Sequence, residues 1–150
     1  MFALDDELER ISVLVHQLPL SQLRLLHDGR VFWAMLVPRI AELTEWHQLS
    51  ADDMATHGEE IRLVSQALDI ADGPAVINVG MFGHGVRQLH VHLAARHEDD
   101  PLWPKVAFMT GPAEPRSADD QADALAGLQA ALIVAADKLG STLLDEPVAV

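Results

Sequence analysis

Cysteine is absent from the 150 residues. Its absence excludes disulfides, thiol chemistry and every cysteine-based zinc site. It suits a reducing compartment, so a cytoplasmic location is the expectation, although a chain without cysteine is redox-neutral anywhere. Basic residues are scarce: 10 Lys and Arg stand against 23 Asp and Glu, for a formal net charge of −13. A surface of that balance repels a polyphosphate backbone and argues against a nucleic-acid partner. A small anionic ligand is opposed less decisively. Exposed charges beyond ~10 Å are screened at ordinary salt, and a local pocket of amides, Arg and His can prevail. No apolar run reaches the length of a membrane span. Residues 1–10 are acidic and have no basic region ahead of an apolar stretch, so neither a signal peptide nor a membrane partner is expected. Internal repeats and low-complexity stretches are missing too.

What is present fits one globular domain over 1–150, with 49% hydrophobic and 22% charged residues. Residues 11–18 and 20–27 read as strands, the first stopped by Pro19. Asp28-Gly29-Arg30 reads as a hairpin turn, with glycine supplying positive φ. Residues 31–37 (VFWAMLV) form a continuous apolar strand that predicts cover on both faces. A helix is predicted over 50–68, capped by Ser50, with Asp52 and Asp53 in the first turn. Strands are predicted over 75–79 and 86–95, with a glycine-rich loop from Gly80 to Gly85 between them. A second helix is predicted over 117–139, from Ser117 to a stop at Gly140. Strands, helix, strands, helix is the order of an α+β domain with an antiparallel sheet.

The chemistry-bearing segment is Gln88-Leu89-His90-Val91-His92. Side chains alternate along a strand, so Leu89, Val91 and Leu93 point one way and Gln88, His90 and His92 the other. A wet strand face ordinarily carries Thr, Lys or Glu. Two imidazoles and a carboxamide directly after Gly83-His84-Gly85 point instead to a phosphate site. Glycine lets backbone amides approach the phosphate oxygens. A neutral imidazole is a good nucleophile near pH 7, and a second one beside it can donate to a non-bridging oxygen. The alternative is two ordinary surface histidines. A metal site is a further alternative, with His97, His84 or Glu98 as third ligand. Against it, no thiolate exists and the strands are too few for a jelly roll.

The segment Gln88-Leu89-His90-Val91-His92-Leu93-Ala94-Ala95-Arg96, followed by Trp103-Pro104, resembles the signature strand of the histidine triad (HIT) superfamily. Leu25-Leu26-His27-Asp28 and Met35-Leu36-Val37-Pro38-Arg39 resemble that family's nucleoside-binding strand pair. The likeness covers about residues 10–105, and residues 117–140 form a helical extension outside the shared motif. It implies a sheet of about five strands with two main helices. It implies hydrolysis or transfer of a nucleoside monophosphoryl group through a nucleotidyl-histidine intermediate. His90 matches the nucleophile and His92 the histidine that contacts the scissile phosphate. Gln88 stands where the family's first histidine sits, a form that other bacterial members share. Asn78, His84 and Gly85 would contact phosphate, and Asp28 the ribose. His27 is a ribose contact or a turn residue, and Arg96 binds phosphate or caps the strand beside Glu98. Gly85 departs from the hydroxyl residue that relatives often place there. The resemblance implies no redox cofactor, no obligatory metal, and a homodimer. The rival readings are a nucleotide-binding module with little turnover and a metal-dependent enzyme.

The remaining candidates are bland. His16, His47 and His57 lack a partner pattern and read as surface residues. Phe32 and Trp33 read as core or as a base-stacking wall. Leu125, Leu128, Leu132, Ala135 and Leu139 form a stripe that packs on the sheet or on another subunit.

Overall fold

The computed structural model describes residues 1–109 and 111–145. Five strands make one antiparallel sheet in the order β1-β2-β3-β5-β4: β1 (Ser12–Gln17), β2 (Ser21–Leu26), β3 (Phe32–Pro38), β4 (Val76–Met81) and β5 (Val91–Arg96). This is the α+β architecture that the element order predicts. A short helix α1 (Asp6–Arg10) precedes the sheet, and two long ones follow, α2 (Ala51–Asp72) and α3 (Ala118–Leu139). No helix among the described residues is long and apolar enough to cross a membrane.

The caps stand where the sequence puts them. Ser50 Oγ accepts from Asp53 N at 3.1 Å, and Ser117 Oγ accepts from Asp120 N at 3.1 Å. Each Ser cap satisfies one of the helix's unpaired amides. Gly73 and Gly140 close the two helices at φ 57° and 61°, in the left-handed region where an L side chain is strained. The first of these helices runs four residues past Leu68, up to the stop at Gly73.

The two sides of the sheet are built differently. On one side Leu23, Leu25, Leu36, Val91 and Leu93 are buried against Leu63, Val64 and Leu68 of α2 and Leu128, Leu132 and Ala135 of α3. The stripe on α3 therefore serves the chain's own core, and α3 packs beside α2 as part of one unit. On the other side lies a smaller cluster with Trp33, Met35, Val37 and Ala94, covered by Leu8, Leu102 and Ala107. That thinner cover leaves room for a site.

Three expectations need correction. Gly29 has no positive φ. It is a glycine because a Cβ there would meet Arg116 Cγ at 3.0 Å and the Glu114 carbonyl at 3.3 Å, where residues 114–116 cross the turn. The fifth strand begins at Val91, not at residue 86. His57 sits on α2 and is fully buried, not at the surface.

Candidate active site

β5 lies between β3 and β4, so its side chains meet neighbours on both flanks. Met35 and Gly80 stand opposite His92 in the two registers. Residues paired across strands share a face, so His92, Met35 and Trp33 lie on the same side of the sheet. Gly80 is required here: a Cβ would come within 2.6 Å of the Phe82 ring and 3.1 Å of Phe108. Those two rings wall the site. Phe108 stacks on His92 at 5.1 Å between centroids, and Phe82 lies 5.1 Å from Phe108.

His90 and His92 are both buried, with rings edge to face 4.9 Å apart. Each has one nitrogen held by a group of fixed polarity. His90 Nδ1 lies 2.7 Å from the Gln88 carbonyl oxygen, which can only accept. The proton therefore sits on Nδ1, and Nε2 carries the lone pair. His92 Nδ1 lies 3.0 Å from Trp33 Nε1, which can only donate. Its proton therefore sits on Nε2. Burial, together with the neighbouring His90, pushes the His92 pKa down to about 3, so the ring is neutral near pH 7. The pair thus presents one nucleophilic nitrogen and one N–H donor.

Two cavities with shared wall residues adjoin this pair. The larger, about 1110 Å³, is lined by Leu26, His27, Asp28, Trp33, His92, Phe108 and Arg116. The second, about 780 Å³, is lined by Phe82, His84, Gly85, Val86, His90 and His92. Glu7, Ile11, His92 and Phe108 belong to both walls. His92 thus stands at the junction of a large, mainly apolar lobe and a smaller lobe edged by the glycine loop.

The expected site residues divide. His84 and Gly85 share the smaller cavity with His90 and His92. His27 and Asp28 line the larger one. Asp28 accepts from Arg30 at 2.6 and 3.0 Å and from the Arg30 amide at 3.1 Å. Burial alone would raise its pKa, but the Arg30 bonds outweigh that and hold it below the usual carboxylate range.

Arg96 and Asn78 depart from the expected phosphate contact. Arg96 is 2% exposed; it pairs with Asp100 at 2.7 Å and donates to Asn78 Oδ1 at 3.1 Å and to the Lys105 carbonyl at 2.9 Å. Neither residue lines the two cavities, and Arg96 pairs with Asp100 rather than lying beside Glu98. Gln88 departs too. It precedes β5, and its carboxamide turns away to the N-terminal segment, donating to the Ala3 carbonyl at 2.8 Å and accepting from Asp5 N at 3.0 Å. Only its backbone carbonyl serves His90.

Trp33 lines the larger cavity and donates to His92, a placement that sequence reading did not single out. Its apolar strand reads as core, and only the register shows its indole aimed at His92. The N-terminal helix with Glu7, and Arg116, are also wall residues without a motif. His97 Nε2 is 2.8 Å from Asp72 and ties β5 to the end of α2. Among the described residues no group of three His, Asp or Glu side chains is placed to hold a metal ion.

The fold is shared with solved proteins. The HIT domain family model matches residues 7–99, and the chain belongs to that family. A histidine triad protein from Sinorhizobium meliloti is 39% identical, with a TM-score of 0.84, over 87% of this chain and 96% of that one. A histidine triad protein from Marinobacter aquaeolei is 28% identical, with a TM-score of 0.85, over 89% and 98%. A zinc-bound histidine triad family protein from Mycobacterium smegmatis shares the fold at 13% identity, with a TM-score of 0.63, over 85% and 88%. No curated protein matches the chain.

Proposed function

We propose that this protein hydrolyses or transfers a nucleoside monophosphoryl group through a nucleotidyl-His90 intermediate. The observation that carries the reading is the complementary protonation of the two rings, set by a carbonyl on one side and an indole N–H on the other. His90 Nε2 attacks the α-phosphorus, a P–N bond forms, and the bond to the leaving group breaks. His92 Nε2–H donates to a non-bridging oxygen as charge builds there, with no proton lost to solvent. Water then attacks phosphorus, the P–N bond breaks, and the nucleoside monophosphate leaves with His90 restored. Hydrolysis balances as substrate plus water giving nucleotide plus protonated leaving group.

The smaller cavity, with His84 and Gly85, is the phosphate lobe in this reading. The larger, with Trp33, Phe108, His27 and Asp28, takes the nucleoside. Asp28 is held ionised by Arg30 and accepts from the ribose hydroxyls. No metal is required for the attack. A cytoplasmic homodimer belongs to the same proposal: β4 is an edge strand whose Val76, Val79 and Met81 are exposed.

Intact mass spectrometry after mixing with dinucleoside polyphosphates and nucleoside phosphoramidates tests the reading. A nucleotidyl adduct that maps to His90 is expected. An adduct on His92 or His97 overturns the roles, and nucleotide binding by both the wild type and His90→Ala with turnover by neither overturns the enzyme reading.

A further inference from the structure

In the family resemblance Gln88 stands where a histidine sits, yet the hydrogen bonds of its side chain run to the N-terminal segment. Its Nε2 donates to the Ala3 carbonyl at 2.8 Å and its Oε1 accepts from Asp5 N at 3.0 Å. These two backbone groups flank Leu4, and the carboxamide bridges them as the peptide of an adjacent strand would. An amide offers a donor and an acceptor side by side in one plane. A neutral imidazole places its donor and acceptor on diverging edges of the ring, so a histidine at 88 cannot make both bonds.

The segment so held is a wall of the cleft. Leu8 is 1% exposed and packs with Phe2 and Leu4 on the Trp33 side of the sheet. Glu7 lines both cavities, and Asp5 and Leu8 line the smaller one beside His90. α1 has only five residues, and a helix that short does not hold itself in water. Its place depends on the contacts at its ends.

We propose that Gln88 is a positioning residue: it latches residues 3–10 across the cleft and so governs substrate binding, while chemistry at His90 depends only on its backbone carbonyl. The substrate half rests on the reading of the cleft as a nucleotide site.

Full-length wild type, Gln88→Ala and Gln88→His test this by two measurements. Amide hydrogen exchange without ligand is expected to show at least tenfold loss of protection at Asp5 in both variants, with the β5 amides unchanged. Unchanged exchange at Asp5 overturns the latch. Steady-state turnover of adenosine 5′-phosphoramidate is expected to show KM raised at least fivefold and kcat within threefold of wild type, for Ala and His alike. A fall in kcat at constant KM in Gln88→Ala, or a rise in kcat in Gln88→His, returns Gln88 to the chemistry and overturns the proposal. A wild type that neither turns over nor binds nucleotide overturns the substrate half alone, because the exchange result is read without ligand. Loss of β5 protection in one variant marks misfolding, and the other variant then decides.

Discussion

His57 and His90 are both buried imidazoles in polar clusters, and they differ in what lies beyond the ring. His57 Nδ1 lies 3.2 Å from Ser21 Oγ and 3.4 Å from Glu60 Oε2, while Glu60 Oε1 accepts from Leu20 N at 2.8 Å and Ser21 N at 3.1 Å. His57 Nε2 is buried with no hydrogen-bond partner, and the Trp46 ring sits 5.4 Å away. That cluster is sealed, and it fastens the β1–β2 turn to α2. His90 is also held through Nδ1, but it lines an open cavity. A buried histidine in a hydrogen-bonded cluster is therefore no mark of a site. A cavity beside the ring is what separates the two.

The largest expected effect comes from His90→Ala. Turnover falls by about a thousandfold or more, since a nucleophile's loss cannot be compensated by binding, while the thermal midpoint is nearly unchanged. An activity assay beside a melting curve shows both. Glu60→Ala is the mirror image. It leaves the Leu20 and Ser21 amides unpaired and a cavity, and destabilises the fold by about 3 kcal/mol with kcat of the folded fraction unchanged. Urea unfolding measures the first part; equal loss of activity and stability in both variants would erase the distinction between the clusters.

Acid sharpens the comparison next. An unfolded His92 takes up a proton near 6.5 and the folded one only at about 3. The unfolded state therefore binds more protons between those values, and His92 makes stability fall as pH drops through that window, by at most about 1.4 kcal/mol per pH unit. Replacing His92 by Gln removes this contribution, so unfolding curves from pH 7 to 4 should be flatter for the variant. A parallel pair of curves would show that His92 is not held neutral by its site. Trp33→Phe has the smallest effect. It deletes the indole donor and frees the His92 tautomer, with kcat down about tenfold and a stability loss of about 1 kcal/mol. Turnover equal to wild type would mean that the indole does not orient His92.

Much of the fold was legible because its signals are local. Ser50, Ser117 and Gly140 announce the long helices through caps that act within one turn. The histidine strand was legible from Val91 onward, where alternation places Val91 and Leu93 under the helices and His92 on the other face. It failed at Gln88, because alternation holds only inside a strand and β5 starts three residues later. Arg96 and Asn78 lie outside the two cavities for a related reason. A buried arginine's partners, here Asp100 and the Lys105 carbonyl, are chosen by the return path of the chain and leave no pattern in the residue itself.

The α+β class, the two capped helices, the glycine loop and the two histidines two residues apart follow from the residue order, because each rests on period, propensity or spacing within a few positions. Tertiary structure alone decided which nitrogen of each ring holds the proton, which of two buried histidine clusters opens to a cavity, and that Gln88 reaches Ala3 and Asp5 more than 80 positions away. Those outcomes depend on groups that only the closed fold brings within hydrogen-bond distance, and no local rule of spacing encodes them.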